Sequence, residues 1–566
     1  MHSGVSVRIP EDRALSEIEE RGSAMKRCMA VLLKWLWRFG AWTVPACLTG
    51  VLLWAAFPPH GLWFLAWVAL VPLVARISYS NKRSAFFQGW LAGSLFHYLA
   101  NYLTVRAHMG AITLSPLQGL WWGVFGLLTV IMLKRRCPLW LSCGVALSIV
   151  EFLKSVGPFA CCWLPLGSSQ AVRPALIQGC AWFGTIGLSG LIAAFNGAVV
   201  DLGWIVLDKR FRWGDQGGVR VGRPSAVGSL WASRGSCAVM GFAILNALVG
   251  HAILHQSSKY HINADTLRVA IIQSNLEGEM RWSGNNFRNI VKLHMDLTRE
   301  SLSSDPELIV WPESALGLVP NSTWSMVPGI VRRLAMNVGR PILLGIVNED
   351  GVTGESHNSA TIVTPHGRLS GRYDKIRLLP FAEWVPRGFS FMAGPRIRGS
   401  GHRPAARQIV LPLFPSLSGR DETVGVGVFI CFEALFPETV RRLPGLGAHV
   451  LVHLSDEYWY RDPHLSKQSF SLDVMRAVEN RRSLIRAANA GPSGVIDPWG
   501  RPISVFRAEN GETCFETGWV ACEVPLKKGQ TLYSRFAPLI ALLPWGVLAG
   551  VIIRHRRWKK ARGAFS

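Results

Sequence analysis

The chain has 566 residues, room for two to four ordinary domains, yet only 17% are charged while 49% are hydrophobic. A soluble chain carries about 25% charge, so a wholly soluble protein is excluded. The net charge of +24 does not indicate nucleic acid, because Lys and Arg gather in short clusters beside apolar runs, as in retained cytoplasmic loops.

In chain order, residues 1–24 are polar and charged and end at Met25-Lys26-Arg27; they read as a cytoplasmic tail, or as an extension ahead of a true start at Met25. Apolar runs follow near 39–57, 61–78, 84–103, 112–133, 138–158, 175–206 and 236–256, with an eighth at 535–553. Crossing a bilayer core takes roughly 20 apolar residues, so each is expected to span it. Pro58-Pro59-His60 makes the first two a tight hairpin. The sixth run is longer than a span needs, which implies a tilt or an extramembrane start.

Basic residues fall in every second loop: Lys82 and Arg83, Lys134 to Arg136, Lys209 to Arg234, and Arg554 to Arg562. Positive charge stays cytoplasmic. Both termini are therefore expected inside, and residues 260–530, between spans seven and eight, on the opposite face. The expected layout is a tail over 1–38, a seven-helix membrane domain over 39–256, an extramembrane domain over 260–530, and an eighth helix with a basic tail over 533–566.

The 260–530 stretch has ordinary soluble composition. Short apolar runs of buried-strand type recur at Leu267, Leu308, Ile342, Thr361, Val424 and His449, with helical stretches between, as at 286–302 and 466–483. That alternation predicts an α/β domain. Three of its segments share a design, an apolar strand ending in a reactive side chain: Trp311-Pro-Glu313-Ser, Arg372-Tyr-Asp-Lys375, and Phe429-Ile-Cys431-Phe-Glu433. Strand ends are where α/β folds place their sites. A thiolate can attack a carbonyl to give a thioester, a carboxylate can move the protons, and an ammonium with the backbone N–H after the cysteine can hold the oxyanion.

Taken singly, each residue has a blander reading: a core thiol, a turn carboxylate, a surface lysine. The three in order at strand ends favour catalysis. His60, His97, His251, His255, His453 and His464 show no partner spacing and read as structural. Glu151 and Lys154, three apart at membrane depth, read as a helix-face pair, and Arg106 carries a functional prior. No CxxC pair or zinc spacing occurs among the 11 cysteines, so no metal is expected. Cys514 and Cys522 either pair across a hairpin or stay free.

At these residues the chain resembles the nitrilase superfamily and, within it, the apolipoprotein N-acyltransferase family. The resemblance also rests on Leu379-Pro-Phe-Ala-Glu383-Trp-Val-Pro386, on Arg476-Ala-Val-Glu-Asn through Gly491, and on Val495-Ile-Asp-Pro-Trp-Gly500. It implies an α-β-β-α sandwich, with Glu313 as general base, Lys375 as oxyanion cation and Cys431 as nucleophile. Glu383 would orient Lys375 or shuttle protons. Phe432 and Glu433 would shape the pocket behind the thiol, while Trp282 and Trp459 would contact lipid or acyl substrate. Phe432 stands where many relatives have Tyr, and Leu454 to Tyr460 departs from the usual Asn-Asp-x-Trp-Phe.

The reaction implied is transfer of an acyl chain from a phospholipid to the amine of a diacylglyceryl-apolipoprotein. It would need no cofactor and would be carried out by a monomer at the outer face of a bacterial inner membrane. Two alternatives keep the fold: a membrane-tethered amidase, which leaves eight spans unexplained, and a dead scaffold, against which the intact Glu313, Lys375 and Cys431 argue.

Overall fold

The structure is a computed structural model that describes residues 40–101, 112–157, 160–211, 230–278, 280, 286–317, 326–349, 356–385, 401–414 and 422–563. The tail with Met25, Arg106 and Trp282 lies outside these residues.

Apolar helices make up the first half: α1 (Gly40–Ala56), α2 (Val71–Ile77), α3 (Lys82–Ala100), α4 (Leu114–Leu133), α5 (Leu139–Lys154), α6 (Cys180–Phe211) and α7 (Leu230–Asn263). Among the described residues, four helices are long and apolar enough to cross a membrane: Leu114–Leu133, Cys180–Val206, Trp231–Ser258 and Leu532–Trp558. The last two expose Ile244, Leu248, Leu539, Leu542 and Leu543. Such a surface suits hydrocarbon rather than water.

The run expected to span at 61–78 is not one continuous helix. It breaks into a 3₁₀ turn at Trp63–Trp67 and the seven-residue α2, with Pro72 at the start of α2, where a helix tolerates proline. Helices α3 and α4 pack through small residues. A Cβ added at Gly89 or Gly126 would strike the partner backbone, the close approach that replaces hydrophobic drive between helices in lipid.

The second half is a sandwich of two six-stranded sheets. Strands β1 (Thr266–Gln273), β2 (Leu308–Val310), β3 (Ile342–Glu349), β4 (Ser356–Val363) and β5 (Leu369–Asp374) form one, with β12 (Gly518–Pro525) antiparallel to β1 at its edge. The other sheet has the order β11 (Pro502–Val505), β10 (Gly494–Ile496), β9 (Leu484–Ala488), β8 (Val450–Ser455), β7 (Val424–Ile430), β6 (Leu411–Leu413).

Val269, Ile271 and Val310 meet Val426, Val428, Val452 and Ile485 between the sheets in one core. Helices α8 (Phe287–Ser301) and α9 (Met326–Val338) cover the first sheet through Val291, Leu297, Leu334 and Ala335. The second sheet is covered by α10 (Pro463–Asn480). The chain ends in α11 (Leu532–Gly563). The expected α-β-β-α sandwich is therefore present.

Helix α10 also touches the apolar helices. Its Val474, Met475 and Val478 share a core with Ile177, Cys180 and Leu188. Gly184 leaves the helical conformation inside α6, with φ +71, a break that frees a backbone N–H of the kind a helix otherwise pairs. Glu479 of α10 fills that need. Its carboxylate accepts from Thr185 N at 2.8 Å and Thr185 Oγ1 at 2.6 Å.

Candidate active site

Strand β7 puts Val426, Val428 and Ile430 into the inter-sheet core and ends at Cys431, whose φ is +51. A left-handed non-glycine residue is strained and persists only where its surroundings hold it. The holder is Glu433, in the 3₁₀ turn Cys431–Leu435 that follows. Its carboxylate accepts from Ile430 N at 2.7 Å, Ile376 N at 2.8 Å and Arg377 N at 3.2 Å. Tyr373 Oη donates to both of its oxygens at 2.8 Å. Glu433 thus ties the cysteine turn to the segment after β5 that carries Lys375. Glu433 is expected to shape the pocket behind the thiol; its contacts are those of a buried tie beneath the turn.

Lys375 is fully buried. Its Nζ lies 2.9 Å from Glu383 Oε1 and 3.6 Å from Glu313 Oε1. Asn358 of β4 donates through Nδ2 to Glu313 Oε1 at 2.8 Å and to Glu383 Oε1 at 2.9 Å. The second oxygen of Glu383 accepts from Leu379 N at 2.7 Å. Glu313 itself is set by β3. A Cβ at Gly345 would sit 2.7 Å from Glu313 Cα and 2.7 Å from Pro312 O, so only glycine lets the two backbones approach this closely.

These contacts sort the protons. Burial disfavours the Lys375 ammonium, but Glu383, Cys431 and Glu313 outweigh it, and Lys375 stays firmly protonated. Burial pushes Glu383 up, yet Lys375 and the Leu379 N–H hold its carboxyl below the usual range. Glu313 goes the other way: burial raises it, and Lys375 only partly compensates. Burial and then Glu313 push the Cys431 thiol well up. The arrangement is a permanent Lys375–Glu383 ion pair beside a carboxylate of raised proton affinity and a neutral thiol. Groups whose proton affinities are driven apart in this way are suited to divide acid and base work. Among the described residues Glu313 Oε2 has no hydrogen-bond partner, so one oxygen is left to take a proton.

Glu313, Lys375, Glu383 and Cys431 therefore come together, with Glu433 beneath them. Phe432 packs in one apolar cluster with Leu435, Phe436 and Leu472, and with Ala160, Cys161 and Trp163 from the segment after α5. Glu151 and Lys154, expected to pair with each other, hold that segment: Glu151 Oε1 accepts from Leu166 N at 2.7 Å and Lys154 Nζ donates to Trp163 O at 3.2 Å. Trp459 is exposed, its indole donating to Asp456 Oδ2 at 2.9 Å. Cys514 and Cys522 are both free thiols.

Sequence reasoning missed three residues. Asn358 carried one weak signal, a polar side chain in a strand that is otherwise apolar toward its end. Tyr460, whose ring lies 6.1 Å from Trp163 and whose hydroxyl burial keeps protonated, carried none. His453, read as structural, lies 3.2 Å from the Cys431 carbonyl.

Residues 49–198 match the family model of the apolipoprotein N-acyltransferase N-terminal domain, and residues 268–518 match that of carbon-nitrogen hydrolase. The chain is 27% identical over 530 residues to the apolipoprotein N-acyltransferase of Geobacter metallireducens, covering 90% of this chain and 93% of that one. With that of Gloeobacter violaceus it shares 28% over 557 residues, covering 90% and 94%. With that of Pseudomonas aeruginosa it shares 26% over 547 residues, covering 92% and 96%. Among solved structures, an amidase from Nesterenkonia is 19% identical with a TM-score of 0.35, over 48% of this chain and 94% of that one.

Proposed function

This chain belongs to the apolipoprotein N-acyltransferase family, and from that premise we propose that it moves an acyl chain from a membrane phospholipid to the α-amine of the N-terminal S-diacylglyceryl-cysteine of a lipoprotein. It works as a monomer in a bacterial inner membrane, with residues 260–530 on the periplasmic face. The loop charges support that orientation.

Cys431 Sγ attacks the ester carbonyl while Glu313 takes the thiol proton. The Lys375 ammonium and the Phe432 N–H hold the oxyanion. Collapse of the intermediate expels the lysophospholipid oxygen, which takes the proton back from Glu313, and the acyl group stays on sulfur as a thioester. The lipoprotein amine then attacks that thioester. Glu313 removes the amine proton and returns it to the departing Cys431 sulfur, leaving an amide. Glu383 keeps Lys375 in place throughout.

One observation favours a lipid donor over a small amide. The apolar cluster that begins at Phe432, the residue after Cys431, joins Leu435 and Phe436 to Ala160, Cys161 and Trp163 from the segment after α5. A chain too apolar to leave the bilayer needs such an approach. Trp459 and Trp282 are the further candidates for acyl or lipid contact.

The test uses phospholipid labelled in one acyl chain. Without acceptor, label should accumulate on Cys431 as a hydroxylamine-labile adduct, and adding a diacylglyceryl lipopeptide should move it to the peptide amine. Release as free fatty acid regardless of acceptor would mean a hydrolase and sink the proposal.

Two consequences follow from Glu313. Its carboxyl is raised by burial, and the working form needs it ionised. The acylation rate should therefore fall as pH drops through a value above the usual carboxylate range, and Glu313→Gln should abolish that limb along with about 10²–10⁴ of the rate. Gly345→Val should displace Glu313 through its backbone and cost about 100-fold in acylation, measured beside an unchanged iodoacetamide stoichiometry at Cys431.

A further inference from the structure

Four buried charged or titratable side chains stand behind the cysteine turn and have no part in the chemistry above. In the parallel register of β7 and β8, His453 lies opposite Phe429, and their rings stack at 4.7 Å and 14°. His453 Nδ1 is 2.9 Å from Asp473 Oδ2 on α10. Arg486, opposite His453 on β9, reaches His453 Nδ1 at 3.0 Å and also bonds to Asp473 and Glu457. All four side chains are buried. The free end of this chain is His453 Nε2, 3.2 Å from the Cys431 carbonyl oxygen. A carbonyl can only accept, so Nε2 carries a proton in either the neutral tautomer or the imidazolium.

We propose that His453 is a positioning residue for the oxyanion site, acting through the Cys431–Phe432 peptide. That peptide is planar and trans, so its C=O and the following N–H point in opposite directions. A carbonyl drawn toward the buried His453 ring aims the Phe432 N–H the other way, toward the partly exposed side of Cys431. As a residue in the first turn of a 3₁₀ helix, Phe432 has no partner for that N–H within the turn. The Asp473–Arg486–Glu457 chain fixes the ring, and Asp473 belongs to α10, the helix docked on α6 through Glu479. This assignment rests on the acyl-transfer reading only in needing an acyl oxyanion at Cys431.

The experiment uses the full-length protein in detergent and p-nitrophenyl butyrate, whose carbonyl forms that oxyanion whether or not a phospholipid is the natural donor. The comparison reaction is alkylation of Cys431 by iodoacetamide, which forms no oxyanion. His453→Leu is expected to slow acylation by about 10- to 100-fold, less than losing an oxyanion donor outright because the donor is misaimed rather than removed, while alkylation changes less than about 3-fold. His453→Gln, whose amide N–H can reach the same carbonyl, should recover most of the loss. If His453→Leu does not fold, Asp473→Asn is read in the same way, since it keeps the ring but loosens its anchor. Equal losses in acylation and alkylation, no loss at all, or a Gln variant no better than Leu would overturn the assignment. A normal ester result with no phospholipid adduct would sink the proposed function and leave this one standing.

Discussion

Cys431→Ser should abolish acyl transfer, with a loss of about 10⁴-fold or more and no acyl adduct recoverable from phospholipid. Glu313 is raised by burial, which helps it share a thiol proton but not remove that of a far less acidic alcohol. The serine oxygen would sit where sulfur does, because the left-handed turn at 431 is held by Glu433 and by His453, not by the thiol. Thermal unfolding should therefore stay within a few degrees of the parent. Single-turnover labelling with the acyl-labelled phospholipid measures the first effect and scanning calorimetry the second. A serine variant keeping even about 1% of transfer would mean that the acyl group passes by another route.

Much of this was legible in the sequence, for identifiable reasons. Strand β7 is an unbroken apolar run, so its end at Cys431 could be read directly, and Glu313 follows Leu308 to Trp311 in the same way. The strand ahead of Lys375 was expected to be apolar, and that was wrong. In Leu369–Asp374 only Ser370 and Tyr373 are buried, because β5 is the antiparallel edge strand of its sheet and turns one face to the core.

The resemblance has Glu383 orient Lys375 or shuttle protons, and the structure places its Oε1 2.9 Å from Lys375 Nζ. Asn358 and His453 could not be found in advance. Each acts across strands whose register depends on non-local pairing, and no spacing within the chain encodes it. The break of the 61–78 run at α2 was hidden for a related reason: composition reports apolar length, while helix continuity depends on what the neighbours accept.

Lys375→Met should be the single change to the site that costs most in stability, and it should slow the reaction as well. The ammonium is fully buried between two carboxylates, 2.9 Å from Glu383 and 3.6 Å from Glu313, and Asn358 holds one oxygen of each. Without the cation, two carboxylates share one buried amide, and one of them must take up a proton or water must enter. Breaking a buried pair in this way costs about 3–5 kcal/mol, enough to lower the midpoint of thermal unfolding by roughly 10 °C in a domain of this size. Loss of the oxyanion cation should separately cost about 10²–10³ in acylation. The two effects can be parted with a second substitution. In Lys375→Met with Glu383→Gln the surplus charge is gone, so the midpoint should return most of the way, while acylation stays low because the oxyanion still lacks its cation. Recovery of both in the double variant would make Lys375 a purely structural partner of Glu383 and move the burden of oxyanion binding onto the Phe432 N–H.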